Sequence, residues 1–183
     1  MTSDLLNGLG IAASAVYVAI GLIFMSAGAQ KVLHWQEFRG VVAAYRLLPA
    51  SGAGVVATII APLEIFLGVA SILHLGMPLT AFAASAMLTL FAAAMAINIA
   101  RGRTAIDCGC FQTALRQELE WRLVIRNMAC ALIVLGASAI PVALDSMSAL
   151  LAFPAGGALF CLYLALNGVW ALDASRRLAL GRT

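Results

Sequence analysis

Charge is scarce in this chain. Only 10% of its 183 residues are charged, against 63% that are hydrophobic; an average soluble chain has roughly 25% charged and roughly 45–50% apolar residues. With a mean hydropathy of +1.02, that excludes an ordinary soluble domain. No polar stretch is long enough to fold separately, so residues 1–183 are expected to form one integral membrane domain. Four cysteines are too few and too scattered for a disulfide-stapled scaffold. The two histidines form no nucleophile–base constellation, and no phosphate-binding glycine motif is present. There is no internal repeat and no low-complexity tail. The net charge of +3 is confined to segments flanking apolar runs, which points to lipid headgroups rather than nucleic acid.

What is there is apolar sequence in bilayer-sized lengths. A spanning helix needs about 20 mostly apolar residues, and five segments qualify: 11–30, 55–75, 79–100, 123–143 and 149–172. Gly76-Met77-Pro78 makes a tight turn between the second and third, and Asp145-Ser146-Met147-Ser148 does so between the fourth and fifth. Pro154 and Gly156-Gly157 are expected to interrupt the fifth, a break that neighbouring helices can satisfy inside a bundle. The predicted fold is all-α: a polytopic membrane helix bundle of five transmembrane helices, four forming a core plus one. Small residues such as Ala83-Ala84-Ser85-Ala86 and Ala92-Ala93-Ala94 suit close helix packing. Ala27-Gly28-Ala29 looks like a signal-cleavage site. Asp4, the lack of a preceding positive charge and an apolar stretch beyond the roughly 7–15 residues of a signal core all favour an uncleaved first span.

Two polar segments remain. Residues 31–51 hold His34, Trp35, Phe38, Tyr45, Arg46 and Pro49, a composition that suits the membrane interface. Residues 102–122 hold a cysteine pair, followed from Thr113 by good helix formers. Leu115 and Leu119, four apart, predict an amphipathic lead-in to the fourth span, with Trp121 at the interface.

The eleven basic residues fall in three clusters. Lys31, Arg39 and Arg46 follow the first span. Arg101, Arg103, Arg116, Arg122 and Arg126 follow the third, and Arg176, Arg177 and Arg182 follow the fifth. None lies in the turns after the second and fourth. Cytoplasmic loops carry the excess of Lys and Arg, so the N-terminus is expected outside and the C-terminus and cysteine loop inside.

The chemistry-bearing motif is Cys108-Gly109-Cys110-Phe111. Glycine lets the backbone fold tightly enough for two close sulfurs to meet, and the small ring that results is of the strained, readily reduced kind. A helix beginning near Thr113 and guanidinium groups, Arg103 and Arg116 being candidates, would stabilise a thiolate. The bland reading is two unrelated reduced cysteines. Thiolate binding of zinc or Cu(I) is a further reading, but zinc wants four ligands and the loop supplies no other Cys or His, so no metal site is assigned. Cys130 and Cys161, inside spans, read as small hydrophobes. Met87 and Met95 share a helix face and read as core.

Glu64 is the other anomaly. It sits near the middle of the second span, where a carboxylate costs at least about 2.5–3.5 kcal/mol on insertion scales and should face the bundle interior. Asn98, Arg126, Asn127 and Asn167 are the other strongly polar residues within spans, all towards the basic side, and Lys31 reaches in from the end of the first. One reading is a polar pocket of Glu64, Lys31, Arg126 and Asn98 beneath the thiols, suited to a quinone or to proton movement. The other is a structural ion pair of Glu64 with Arg126 or Lys31.

Gly28-Ala29-Gln30-Lys31, Phe38, Tyr45-Arg46-Leu47-Leu48-Pro49, Pro62-Leu63-Glu64 with Gly68, Asp107-Cys108-Gly109-Cys110-Phe111 and Arg126-Asn127, in this order, resemble the MauE family, the methylamine utilisation membrane proteins related to the DoxX-like group. The family's thiol motif continues with glycine where this chain has Gln112, which bears on the local turn. The resemblance implies a multi-pass protein of the bacterial inner membrane that helps mature the disulfide-rich small subunit of methylamine dehydrogenase beside a thioredoxin-like partner. Cys108 and Cys110 would then be a membrane thiol–disulfide oxidoreductase pair. It also implies periplasmic thiol chemistry, whereas the charge pattern puts the cysteine loop inside. Either electrons pass outward across the membrane, or the family's sidedness does not hold here. The rival function is a non-catalytic scaffold, or a transporter subunit in which Glu64 lines a small-molecule or ion path.

Overall fold

The computed structural model describes residues 2–47, 49–106, 118–142 and 146–180, so Cys108 and Cys110 lie outside the described residues. Six helices follow in order: α1 (Thr2–Leu33), α2 (Trp35–Ala44), α3 (Ala50–Ile72), α4 (Leu79–Ala100), α5 (Trp121–Ala137) and α6 (Ser146–Leu180). The described residues make an all-helical bundle. Four stretches are long and apolar enough to cross a membrane: Leu5–Leu33, Ser51–Ile72, Leu79–Ala100 and Ser148–Asp173. Large apolar side chains such as Leu79, Ile125, Leu132, Leu150 and Val169 point outward, the arrangement a lipid solvent calls for.

The expected fourth span, 123–143, is the shorter α5 of 17 residues. It stops at Ala137 because Pro141 biases the chain before it away from helix. Its predicted amphipathic lead-in does not reach it. Glu120 is extended, with φ −129° and ψ 153°, and residues 113–117 lie outside the described residues. The expected break in the fifth span is also absent: α6 runs through Pro154 as one helix of 35 residues. Pro154 removes one donor, but Gly156, two residues on, packs against α1, where an added Cβ would lie 2.8 Å from the Ala15 carbonyl oxygen. The segment after α1 forms the ten-residue α2, with Phe38 turned inward.

α1 is the central post, packed against α3 on one side and α6 on another, while α4 and α5 pair with each other. The main core gathers Tyr17, Ile20 and Phe24 of α1, Leu67 of α3, Ala84 and Leu88 of α4, and Ala131 and Val134 of α5. Register along α1 and α3 is set by glycine. A Cβ on Gly21 would sit 2.7 Å from the Gly68 carbonyl oxygen, and one on Gly28 would sit 3.0 Å from that of Ala61. Two turns apart on each helix, these contacts bring the backbones together as small residues do between membrane helices.

Two helix ends close in the same way. At the end of α3, Leu75 N–H donates to Ala70 O and His74 N–H to Ser71 O. At the end of α4, Arg103 N–H donates to Asn98 O and Gly102 N–H to Ile99 O. Both are Schellman closures. The left-handed position is filled by Gly102 (φ +70°) in one and by His74 (φ +54°) in the other.

Candidate functional site

The α1–α3 register decides the partner of Glu64. Lys31, in the last turn of α1, donates its ammonium to both carboxylate oxygens of Glu64 at 2.7 Å. The two side chains are 4% and 1% exposed. The ammonium lies 5.3 Å from the ring centroid of Phe38 on α2 and 5.4 Å from that of Phe91 on α4, within the range of cation–π attraction. Four helices therefore converge on one buried charge pair.

A second polar group joins α5 to α6. Arg126 donates to Asn167 Oδ1 and, at 3.5 Å, to Asn127 Oδ1, with its guanidinium 5.5 Å from the Tyr163 ring. Asn167 donates in turn to the Tyr163 carbonyl. One turn nearer the start of α5, Arg122 pairs with Asp173 of α6 at 3.2 Å. Asn98, fully buried, forms a third group: it donates to Ala94 O and accepts from Arg103 Nη1 at 3.3 Å. The four residues expected to line one pocket thus belong to three contacts: Lys31 with Glu64, Arg126 with Asn167, and Asn98 with Arg103. Lys31 and Asn98 lie in the last turns of α1 and α4 and Arg126 in the first half of α5, whereas Glu64 stands within α3, where the Lys31 side chain reaches it.

Arg103, a candidate neighbour of the thiolates, is engaged on α2, while the thiols themselves lie outside the described residues. Its Nη2 donates to Ala44 O at 2.8 Å and its Nη1 to Tyr45 O at 3.2 Å, the last carbonyls of α2. Beside it, Thr104 O accepts from Leu119 N–H at 3.0 Å, and Leu119 is buried against Met95 and Leu123 with Tyr45 and Ile99 alongside. The chain carrying the cysteine pair therefore leaves after Ile106 and returns at Glu118 through a pinned neck. Arg116, the other candidate, lies outside the described residues. Cys130 and Cys161 are free, the first partly buried in α5 and the second exposed on α6.

Against models of known families, residues 9–140 match the one described as Methylamine utilisation protein MauE. This chain belongs to the MauE family. A methylamine utilization protein MauE of Paracoccus denitrificans is 37% identical over 178 residues, covering 92% of this chain and 94% of the relative. That of Paracoccus versutus is 35% identical over 158 residues, or 85% of each chain, and that of Methylorubrum extorquens is 41% identical over 115 residues, 63% of this chain and 62% of the relative. No solved structure matches. The MauE match takes in Lys31, Glu64, Asn98, Arg103, the cysteine pair, Arg126 and Asn127, and stops before Tyr163, Asn167 and Asp173 on α6.

Sequence reasoning missed a cluster at the opposite end of this MauE-family bundle. Ser14 and Ser71 are buried, and their hydroxyls have no hydrogen-bond partner; nor does Nε2 of His74, whose ring meets Tyr17 edge-on at 5.7 Å between centroids. Burial lowers the His74 imidazole below its ordinary 6.5, with backbone hydrogen bonds at Ile72 and Ser14 pulling the other way. Single serines in apolar runs carry no signal of such a meeting. Only the α1–α3 register reveals it.

Proposed function

We propose that this MauE-family protein is a membrane thiol–disulfide exchange and maturation factor in methylamine utilisation. Cys108 and Cys110 would act on a thioredoxin-like partner, and through it on a disulfide-rich substrate protein such as the methylamine dehydrogenase small subunit. The observation that carries the reading is the position of Cys108-Gly109-Cys110 in a chain of this family: between Ile106 and Glu118, on the stretch whose two ends Arg103, Thr104 and Leu119 hold at the polar end of the bundle. In this reading the protein sits in a bacterial inner membrane, with its N-terminus outward and its C-terminus and cysteine segment towards the cytoplasm, following the basic clusters.

The exchange balances as follows. A thiolate of the reduced partner attacks one sulfur of the Cys108–Cys110 disulfide. That bond breaks, a mixed disulfide forms, and the other cysteine leaves as a thiolate. The partner's second thiol then attacks the mixed disulfide, which leaves the partner oxidised and both cysteines reduced. Two electrons and two protons reach the pair, and the same steps in reverse against another protein disulfide restore it.

Cys108→Ser and Cys110→Ser test the role in a host lacking its own copy. Both variants are expected to lose growth on methylamine, and the one that keeps the attacked sulfur to accumulate a mixed disulfide. Full growth in both would sink the proposal. Maleimide labelling of the pair in intact and permeabilised cells tests the orientation: labelling that needs permeabilisation supports it, and labelling of intact cells reverses it.

A further inference from the structure

The closures at the ends of α3 and α4 use the same pair of backbone bonds, but only one has glycine in its left-handed position. Gly102 takes it after α4, and His74, at φ +54°, takes it after α3. A side chain in that conformation is disfavoured by the clash that glycine avoids, so what the His74 ring meets matters. It meets α1. The ring has backbone hydrogen bonds at Ile72 and Ser14 and stands edge-on to Tyr17, the next turn of α1, at 5.7 Å between centroids. Its Nε2 is left buried and without a partner. The Ser14 hydroxyl is likewise buried and unpaired, and so is that of Ser71, whose carbonyl accepts from His74 N–H at 3.2 Å. Hydroxyls within helices commonly donate to a carbonyl one turn back, as Thr58 does to Gly54 and Thr89 to Ser85. Ser14 and Ser71 do not.

We infer that Ser14, Ser71 and His74 form a binding site for one water molecule, shared between α1 and the end of α3. Buried polar groups without partners are costly. Water relieves all three, because it both donates and accepts and so serves His74 whichever ring nitrogen carries the proton. A buried water typically makes about three hydrogen bonds to groups of this kind. The walls select the occupant. Ser14 and Ser71 are 2% and 1% exposed, which shuts out a lipid headgroup. No cluster of His, Cys, Asp or Glu able to hold a metal ion occurs among the described residues. The site lies about 25 Å along α1 from Lys31, so the water fastens the end of the α1–α3 seam that the ion pair with Glu64 does not reach. Nothing in this inference depends on the redox reading.

The sign of a serine deletion tests it. Removing a dry, unpaired hydroxyl should leave the thermal midpoint unchanged or raise it, whereas removing one that holds a water leaves the other groups unpaired. In the full-length protein in detergent, Ser14→Ala and Ser71→Ala are each expected to lower the midpoint by about 2–10 °C. The double variant should lose less than the sum, since the first deletion already releases the shared water. An unchanged or raised midpoint in either single variant, or losses that add, would overturn the inference. Radiolytic labelling in heavy-oxygen water supplies a second readout, because hydroxyl radicals formed from a bound water mark the side chain beside it. Tyr17, 1% exposed, should take up the label in the wild type and lose it in the double variant. An unlabelled Tyr17 in the wild type, or a label that persists in the double variant, would overturn the inference as well.

Discussion

Glu64→Gln is the sharpest perturbation of the fold. Two unit charges 2.7 Å apart attract by about 6 kcal/mol at an effective dielectric near 20. Much of that only offsets the desolvation of two buried ions, and removing one partner of such a pair costs about 3–5 kcal/mol. Phe38 and Phe91 temper the loss by holding the ammonium, each cation–π contact giving about 0.5–1 kcal/mol or somewhat more when dry. At about 2–4 °C per kcal/mol for a chain of this size, the thermal midpoint should fall by about 6–20 °C. The assay is thermal unfolding in detergent, followed by helix signal, for the wild type, Glu64→Gln, Lys31→Met and the double variant. The double variant should recover most of the loss, because a neutral pair leaves no buried charge without its counter-ion. A coupling between the two sites below about 0.5 kcal/mol, the level of ordinary additivity, would refute the view that this pair fastens α1 to α3.

Two other outcomes follow from the same helix pair. Gly68→Ala would bring its Cβ 2.8 Å from the Gly21 carbonyl oxygen and 2.9 Å from the Met25 nitrogen. It should destabilise by about 1–3 kcal/mol through overpacking, whereas Gly157→Ala on α6, with nothing within 4 Å, should be neutral to stabilising by up to about 1 kcal/mol in the same unfolding assay. His74 titrates below its ordinary 6.5 in the folded protein because burial disfavours its charged form. The unfolded chain therefore binds the proton more readily, and the stability linked to His74 is full above pH 6.5 and lost as pH falls through the lowered value. His74→Asn, which tolerates the left-handed backbone, should flatten the midpoint between pH 5 and 7; an unchanged pH slope would show that His74 does not cause it.

The helices were legible because a bilayer demands a length, and runs of about 20 apolar residues stand out wherever they occur. Proline was harder. Pro154 reads as a break by rules learned in water, yet α6 continues through it, while Pro141, unremarked in the sequence, ends α5 early. The partner of Glu64 was not legible either. Lys31 and Arg126 both lie towards the right end, and only the meeting of Gly21 with Gly68 and of Gly28 with Ala61 selects Lys31. Nearness in sequence makes Arg103 a candidate, with Arg116, for a neighbour of the thiolates. Its guanidinium also reaches carbonyls at the end of α2, 58 and 59 residues earlier, and no local pattern announces a contact of that range.

The seam between α1 and α3 also bears on the rival function. It carries two polar groups: Ser14, Ser71 and His74 at one end, and further along Glu64, which stands on α3 between Ala61 and Gly68 and is met there by Lys31. A path joining them between the helices would have to pass Gly21 and Gly68, and one leading on beyond Glu64 would have to pass Gly28 and Ala61. There the backbones approach so closely that a single added methyl would lie 2.7 Å from the Gly68 carbonyl oxygen or 3.0 Å from the Ala61 carbonyl oxygen. A water molecule is larger than a methyl carbon's allowance in that gap, and a hydrated ion larger still. Glu64 is moreover engaged through both oxygens by Lys31, so a passing cation would have to displace an ammonium held by an ion pair and two aromatic rings. A transport route along this seam is therefore unfavourable on steric and electrostatic grounds at once. The buried carboxylate is better explained as the fastener that holds α1 and α3 in register, with α2 and α4 contributing the rings around its ammonium partner.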